Sequence, residues 1–318
     1  MIDRAAKMAK KSFIRPGGPI TITIALFALL LIPFDAIAAE GKIAVLFGKG
    51  IKAHNAVLEG LRSTRGLDLA EFQITEDEKG MRADDIKASK PQVVIAIGAK
   101  AAFLAKKYLN EFPLLFCLVL YPEKLGLIGK DSFGISVEVS VEDQINLIKK
   151  ISSKVKRVGI IYNPESGSPD IKAAQRIAQE KEVDLVGAQA RAIGEISSAL
   201  DSFRDNIDAF WMTSDPVVAN AEAFQAILLF TLKEKIPLIV PALPLVDKGA
   251  LAAIGPDFVK IGKQAGEMAK KVIGGRSPKS IGLVAPEGVE IAVNKKTADL
   301  IGIKLPESII RQSIRVVR

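Results

Sequence analysis

The sequence predicts an α/β protein: two doubly wound parallel-sheet lobes joined by a hinge. Three observations predict it. Apolar runs of strand length alternate with helix-length runs, as in a parallel sheet covered on both faces. The series restarts midway, where Arg157–Tyr162 (RVGIIY) repeats the pattern of Lys42–Phe47 (KIAVLF): a basic residue, four apolar or small ones, then an aromatic. The 318 residues suffice for two domains, whereas one open sheet of about ten or more strands is uncommon.

The first series runs strand Lys42–Phe47, helix Asn55–Arg65, alternating strand Leu67–Thr75, short helix Ala83–Ser89, buried strand Val93–Ile97 ended by Gly98, helix Ala99–Leu109 and strand Pro113–Val119. The second runs strand Arg157–Tyr162, helix Ile171–Glu180, strand Val183–Val186, helix Ile193–Arg204, strand Ala209–Met212, long helix Val217–Glu234, then strands Leu238–Val240 and Leu251–Ile254. A joint is expected at Gly134–Val141, where Ser140 and Asp143 form a capping box opening the helix Val141–Ser152. A second is expected near Gly255. Beyond it Phe258, Ile261, Ala265, Met268 and Val272 step by three and four, an apolar stripe that needs a sheet to lie on. Lobe 1 is expected at 41–138 plus 256–283, lobe 2 at 139–255 plus 284–318.

Residues 1–38 read as a secretory signal peptide. Arg4, Lys7, Lys10, Lys11 and Arg15 precede the apolar run Ile20–Ile32, and Ala36-Ile37-Ala38 is a small-x-small cleavage pattern. The run is short for a membrane span. Five basic and two acidic residues leave with the segment, lowering the net charge from +8 to +5. That surplus sits in lysine pairs at element ends, Lys149-Lys150, Lys270-Lys271 and Lys295-Lys296, which suit solvent and helix C-termini and not nucleic acid. One Cys and one His exclude a disulfide framework and any metal site needing two such ligands. The expectation is a monomer without cofactor, exported to the periplasm.

Ligands of open parallel sheets bind beyond the C-terminal strand ends, and six places there carry candidates. Gly48-Lys49-Gly50-Ile51-Lys52-Ala53 fits G-x-G-x-x-G/A, with Glu71 or Glu76 about twenty residues on, the arrangement of a dinucleotide turn; His54 follows, as a ligand contact or a helix-start cap. Gly98 and Ala99 open a helix whose free N–H groups suit an anion, or make a plain turn. Asn163 to Pro169 offers Asn163, Ser166, Gly167 and Ser168 to a ligand, with Ser168 also an N-cap and Pro169 the first helical residue. Thr213 and Asp215 lie between strand and helix, where Asp215 caps the helix, takes a ligand ammonium, or both. Asp257 is an N-cap beside the second joint, and Tyr121 an aromatic for a pocket wall. G-x-S-x-G, H-E-x-x-H and the P-loop pattern are absent, and Cys117, inside an apolar run, reads as an inert buried thiol.

From Lys42 to the C-terminus the chain resembles the ABC-transporter substrate-binding proteins of the type I periplasmic-binding fold, in the branch with tryptophan- and tyrosine-binding members. The resemblance rests on Ile236-Pro237-Leu238, Lys248-Gly249-Ala250-Leu251-Ala252-Ala253-Ile254-Gly255, Asp257-Phe258, Gly262-Lys263-Gln264, Gly266 and Val293-Asn294-Lys295-Lys296-Thr297-Ala298, with Leu300 and Gly302. Tyr162-Asn163-Pro164 and Thr213–Asp215 also fit. It implies two lobes closing on a small solute, with Gly98, Ala99, Ser166 to Ser168, Thr213, Asp215 and Asp257 facing the cleft. The chain departs from the pattern at Tyr121-Pro122, where Asp-Pro is common, at Ala99-Lys100, and in the proline-rich loop Pro241–Leu245 (PALPL).

The function these readings support is a periplasmic solute-binding subunit of an ABC importer. It would capture a small polar or anionic, amino-acid-like solute and present it to an inner-membrane permease, without catalysis. The alternatives are an exported sensor that shows a bound solute to a signalling receptor, and a dinucleotide-dependent enzyme using Gly48–Ala53.

Overall fold

A continuous apolar run can lie in a sheet only where both faces are covered, and the first sheet shows this strand by strand. The computed structural model describes residues 41–74, 82–166 and 170–318. The signal-peptide expectation at 1–38 lies outside them, as do Gly167, Ser168 and Pro169. Both sheets belong to one compact unit.

The first series comprises β1 (Gly41–Gly48), α1 (Lys52–Arg62), β2 (Leu67–Ile74), α2 (Ala83–Ala88), β3 (Val93–Ile97), α3 (Ala99–Tyr108), β4 (Leu114–Cys117) and β5 (Ser132–Ile135). The second comprises α4 (Val141–Ile151), β6 (Arg157–Tyr162), α5 (Ile171–Glu180), β7 (Asp184–Gln189), α6 (Ile196–Asp201), β8 (Ala209–Trp211), α7 (Ala221–Lys233), β9 (Leu238–Val240) and β10 (Ala252–Pro256). The chain ends with α8 (Phe258–Ile273), α9 (Pro278–Ile281), β11 (Leu283–Val284), β12 (Val289–Asn294), α10 (Lys295–Ile301), α11 (Glu307–Gln312) and β13 (Ser313–Val317).

Two sheets result. The first has the order β11-β5-β4-β3-β1-β2 and is parallel throughout. Alternate residues of β1 bury opposite ways: Ile43, Val45 and Phe47 pack with Leu61, Ile261 and Ala265, whereas Ala44 and Leu46 pack with Ile86 and Leu104. The second has the order β13-β12-β10-β9-β8-β6-β7 and is parallel except where β12 runs against β10. Helix α4 covers the second sheet through Ile145, Leu147 and Ile148, and α8 covers the first through Ile261, Ala265 and Met268. The chain therefore passes between sheets three times: from β5 to α4, from β10 to α8 and from β11 to β12.

Helices α1 and α8 cross at a pair of glycines. A methyl on Gly60 would strike the Val259 carbonyl oxygen and lie 2.8 Å from the Gly262 Cα; one on Gly262 would strike the Val57 carbonyl oxygen. Only hydrogen side chains allow this backbone approach.

Several expected boundaries move. The helix expected at Val217 begins at Ala221, capped by Asn220, whose Oδ1 accepts from Ala223 N at 3.0 Å. The Asp-Pro signal at 215–216 instead makes a turn, with Asp215 Oδ1 accepting from Val217 N at 2.9 Å. Helix α5 keeps its expected bounds, Ile171–Glu180, and is capped by Asp170. The expected helix Ile193–Arg204 divides into a 3₁₀ turn, Ile193–Glu195, and the shorter α6. The capping box at Ser140 forms, with Asp143 N donating to Ser140 Oγ at 3.0 Å.

Candidate functional site

The strand ends gather the candidate residues into separate groups. At the end of β1, Gly48 N donates to His54 Nδ1 at 3.1 Å. The ring then lies against Gly98 at the end of β3, where a Cβ would sit 2.8 Å from His54 Nε2. Gly98 has φ +93°, a region closed to L side chains, so glycine is required there on two counts. Burial holds the His54 pKa below its ordinary value. An Nδ1 that accepts from Gly48 leaves the ring proton on Nε2. Gly98 is buried and Ala99 exposed. Because Gly48 N–H is occupied by His54, the first glycine of the G-x-G-x-x-G/A pattern does not present its amide to a phosphate.

The second group is organised by Asp215, which is 1 % exposed. Its Oδ2 accepts from Asn163 N at 2.9 Å and from Ser166 Oγ at 2.6 Å, while Oδ1 accepts from Val217 N. Thr213 Oγ1 accepts from Asp215 N at 3.3 Å. Asn163, Ser166, Thr213 and Asp215 thus form one network that ties the loop after β6 to the loop after β8. The carboxylate has three protein donors, which supports a structural role over reception of a ligand ammonium.

Tyr121 follows β4 with φ +54° and reaches across to the other lobe, donating from its hydroxyl to the Ser214 carbonyl at 2.6 Å. Burial, with Glu138, Asp215 and Glu123 nearby, raises its pKa well above the usual phenol range. Asp257 caps α8, its Oδ1 accepting from Lys260 N at 3.0 Å. Cys117 is fully buried and its thiol is pushed up to about 12, so it stays protonated and unreactive.

Beside Tyr121 lies a cavity of about 380 Å³. Leu120 and Phe258 come from the first lobe, Trp211, Thr213 and Leu243 from the second, Val139 from the first crossing, and Pro256 from the end of β10, where the second crossing begins. Of the candidate residues only Thr213 lines it; Gly48, His54, Gly98, Ala99, Asn163, Ser166, Asp215 and Asp257 do not. Glu138 is its sole charged lining residue.

Trp211, Gln144 and the Pro241–Pro244 loop were not among the candidates. A strand tryptophan reads as core, which conceals Trp211. Gln144 carried a signal: it stands in the stripe Val141, Gln144, Ile148, Ile151, which steps three, four, three, so a polar side chain was due to be buried. The proline-rich loop becomes the 3₁₀ turn Leu243–Val246, part of which walls the cavity. Asn294 and Thr297 hold that loop, donating to the Val246 carbonyl at 2.7 Å and the Gly249 carbonyl at 2.9 Å. The Asn294-to-Thr297 stretch is therefore a brace for the wall.

Two parallel-sheet lobes linked by three crossings, with a cavity walled from both, define a protein of the type I periplasmic-binding fold. The chain belongs to the ABC transporter substrate binding protein family, whose model matches residues 67–317. It is 26% identical over 223 residues to a tyrosine-binding protein of Clostridioides difficile (strain R20291), covering 68% of this chain and 64% of that relative. Among solved structures it resembles a ligand-free, open substrate-binding protein with adhesive properties from Clostridium difficile, at 23% identity and TM-score 0.68, covering 87% of this chain and 99% of the other. It also resembles an ABC domain from Streptococcus pneumonia solved with L-Trp, at 20% identity and TM-score 0.56, covering 87% and 100%. At these identities the structural likenesses establish the fold. No helix among the described residues is long and apolar enough to cross a membrane.

Proposed function

We propose that this chain is the solute-receptor subunit of an ABC importer, exported to the periplasm, which captures a small solute between its lobes and presents it to an inner-membrane permease. The carrying observation is the cavity with walls from both lobes and from the first crossing. A solute there touches both lobes only when they are together, so it stabilises that arrangement differentially. Shifting the lobes from mostly open to mostly closed needs about 5.5 kcal/mol. Burying roughly 150 Å² of apolar solute surface at about 25 cal/mol per Å², with two hydrogen bonds of about 1 kcal/mol each, reaches that range. The basic and apolar N-terminal pattern supports export.

The name of the tyrosine-binding relative supports an amino-acid-like solute. The lining is mostly apolar, with Gln144, Thr213 and Ser214 as neutral polar groups and Glu138 as its one charge, and so supports a solute without net negative charge over an anionic one. The test is a thermal-shift screen of residues 39–318 against amino acids, small carboxylates, purines and vitamins, with native mass spectrometry for a co-purified solute and small-angle scattering on every hit. One solute class should raise the melting temperature and contract the particle. Turnover of a hit, or no hit that contracts the particle, overturns the proposal.

A further inference from the structure

Tyr121 follows β4 in the first lobe, and its hydroxyl donates to the Ser214 carbonyl of the second lobe at 2.6 Å. Each end of this bond is held rigid by its own lobe. Leu118 and Tyr121 have φ +55° and +54°, a conformation costly for any side chain larger than glycine's. The loop beyond keeps Tyr121 there. Lys124 N donates to the Tyr121 carbonyl at 3.0 Å and Leu127 N to the Pro122 carbonyl at 2.8 Å. Lys106 Nζ donates to the Leu125 carbonyl at 3.1 Å, and the Lys124 ammonium stands 5.0 Å from the centre of the Tyr121 ring. On the other side, the peptide that carries the Ser214 carbonyl is fixed through its own N–H, since Asp215 N donates to Thr213 Oγ1 at 3.3 Å. The Asp215 carboxylate, held by Asn163 N, Ser166 Oγ and Val217 N, fixes it further. Tyr121 does not line the inter-lobe chamber, although its neighbour Leu120 and its partner Ser214 do.

We propose that Tyr121 is a positioning residue for solute binding: its bond to the Ser214 carbonyl is a latch that favours closed lobes whatever the chamber holds, and so sets the share of the protein ready to grip a solute. The latch itself needs only the two lobes; its effect on affinity rests on the solute-capture reading. Both partners are protein groups, so the bond forms whenever the lobes meet. Burial, with the acids Glu138, Asp215 and Glu123 nearby, keeps the phenol protonated, so it donates throughout the neutral range. One hydrogen bond made only in the closed form changes the closed-to-open ratio about two- to twelvefold. A receptor whose binding-competent form is fractionally populated binds more weakly in proportion to that fraction. Because Tyr121 acts on the lobes and not on the solute, removing its hydroxyl weakens every solute by the same factor.

Lys52 and Lys172 are exposed at the starts of α1 and α5, in opposite lobes. Cysteines at these two positions take spin labels while Cys117 stays buried and unreactive, so pulsed electron-spin resonance on residues 39–318 counts closed and open forms. Without solute, Tyr121→Phe should lower the closed-to-open ratio about two- to twelvefold. Ser214→Ala should leave the ratio unchanged, because the acceptor is a backbone carbonyl. Calorimetry with L-tyrosine and L-phenylalanine as probes should show Tyr121→Phe weakening both by one factor, the factor by which the closed share falls. An unchanged closed share in Tyr121→Phe overturns the inference, as does a parent with no closed form. A loss of affinity for one amino acid and not the other also overturns it, since Tyr121 would then be a solute contact. Failure of the receptor role looks different: the closed share still falls in Tyr121→Phe, but no solute of the screen contracts the parent.

Discussion

Replacing Asp215 with alanine separates the two roles the carboxylate could have. In the structure it accepts from Asn163 N, Ser166 Oγ and Val217 N while 1 % exposed. Ser166 Oγ also contacts the Asn163 carbonyl at 2.9 Å, so its hydroxyl has somewhere else to donate. The two part-buried backbone N–H groups lose their acceptor, and each such donor left without one costs up to about 1–3 kcal/mol. The expected loss is therefore about 2–6 kcal/mol, a large part of the roughly 5–15 kcal/mol that holds a typical domain. Asp215→Asn should cost less, about 1.5–3 kcal/mol. Its remaining oxygen can serve Asn163 and Ser166, while its amide nitrogen turns a donor toward Val217 N–H. Urea unfolding followed by the emission of Trp211, which ends the strand leading into this loop, measures both. An Asp215→Ala protein within about 1 kcal/mol of the parent, but stripped of solute affinity, would refute the argument. It would show that the carboxylate is held for the ligand and not for the loops.

Gly262→Ala should destabilise by about 1–3 kcal/mol or more, because its methyl meets the Val57 carbonyl where α1 crosses α8, and a urea midpoint shift checks it. Tyr121→Phe removes the hydroxyl that donates to the Ser214 carbonyl across the lobes; about 0.5–1.5 kcal/mol should be lost, and small-angle scattering of the solute-free protein should show a more open particle. The folded His54 pKa is below its ordinary 6.5, so the unfolded chain takes up the proton first as pH falls. Stability from this group is full above about 6.5 and declines below it; a His54→Gln variant should have a flatter stability profile between about pH 7 and pH 5.5. Cys117, with its thiol pushed up to about 12, should resist a thiol reagent at mildly alkaline pH until urea unfolds the chain.

Legibility followed burial. Strands β1, β3 and β6 stood out because both of their faces are covered, so apart from the basic residues Lys42 and Arg157 every position is apolar, aromatic or small. Strand β5 (SFGI) did not, since four residues with a serine and a glycine resemble a joint, and the glycine is demanded by the Phe116 ring packed against it. Strand β13 carries exposed Ile314 and Arg315 at the sheet edge and lacks a clean alternation. At the site, Asn163, Ser166, Thr213 and Asp215 could be named from strand ends. That Asp215 joins them could not, because Asp-Pro is the same local signal whether the acid caps a helix or closes a turn. The chamber was hidden for another reason. Its lining is drawn from residues 120 to 258, and its apolar members are of the kind any core uses.

The three crossings are not equivalent, and the differences bear on how a bound solute would be read out. Two of them are tied to each other: Asp257 N, after β10, donates to the Gly288 carbonyl, before β12, at 3.0 Å. Gln264 of α8 grips the same region with both ends of its amide, donating to the Ala285 carbonyl at 2.9 Å and accepting from Glu287 N at 3.1 Å. That pair of crossings is thereby clamped to the first lobe. The crossing from β5 to α4 is held from the second lobe, by Gln144 on Val139. A hinge clamped from opposite lobes bends between its clamps, and the chamber lies there, with Val139 on one side and Pro256 on the other. Gln144 both lines the chamber and holds Val139, so a solute packed on this side chain bears on the crossing. Binding and hinge position are then coupled through one side chain. Gln144→Met, which fills similar volume without the amide, should therefore weaken solute binding and reduce the solute-induced contraction seen by scattering. A variant that binds weakly yet contracts fully at saturation would show that the hinge does not pass through Gln144.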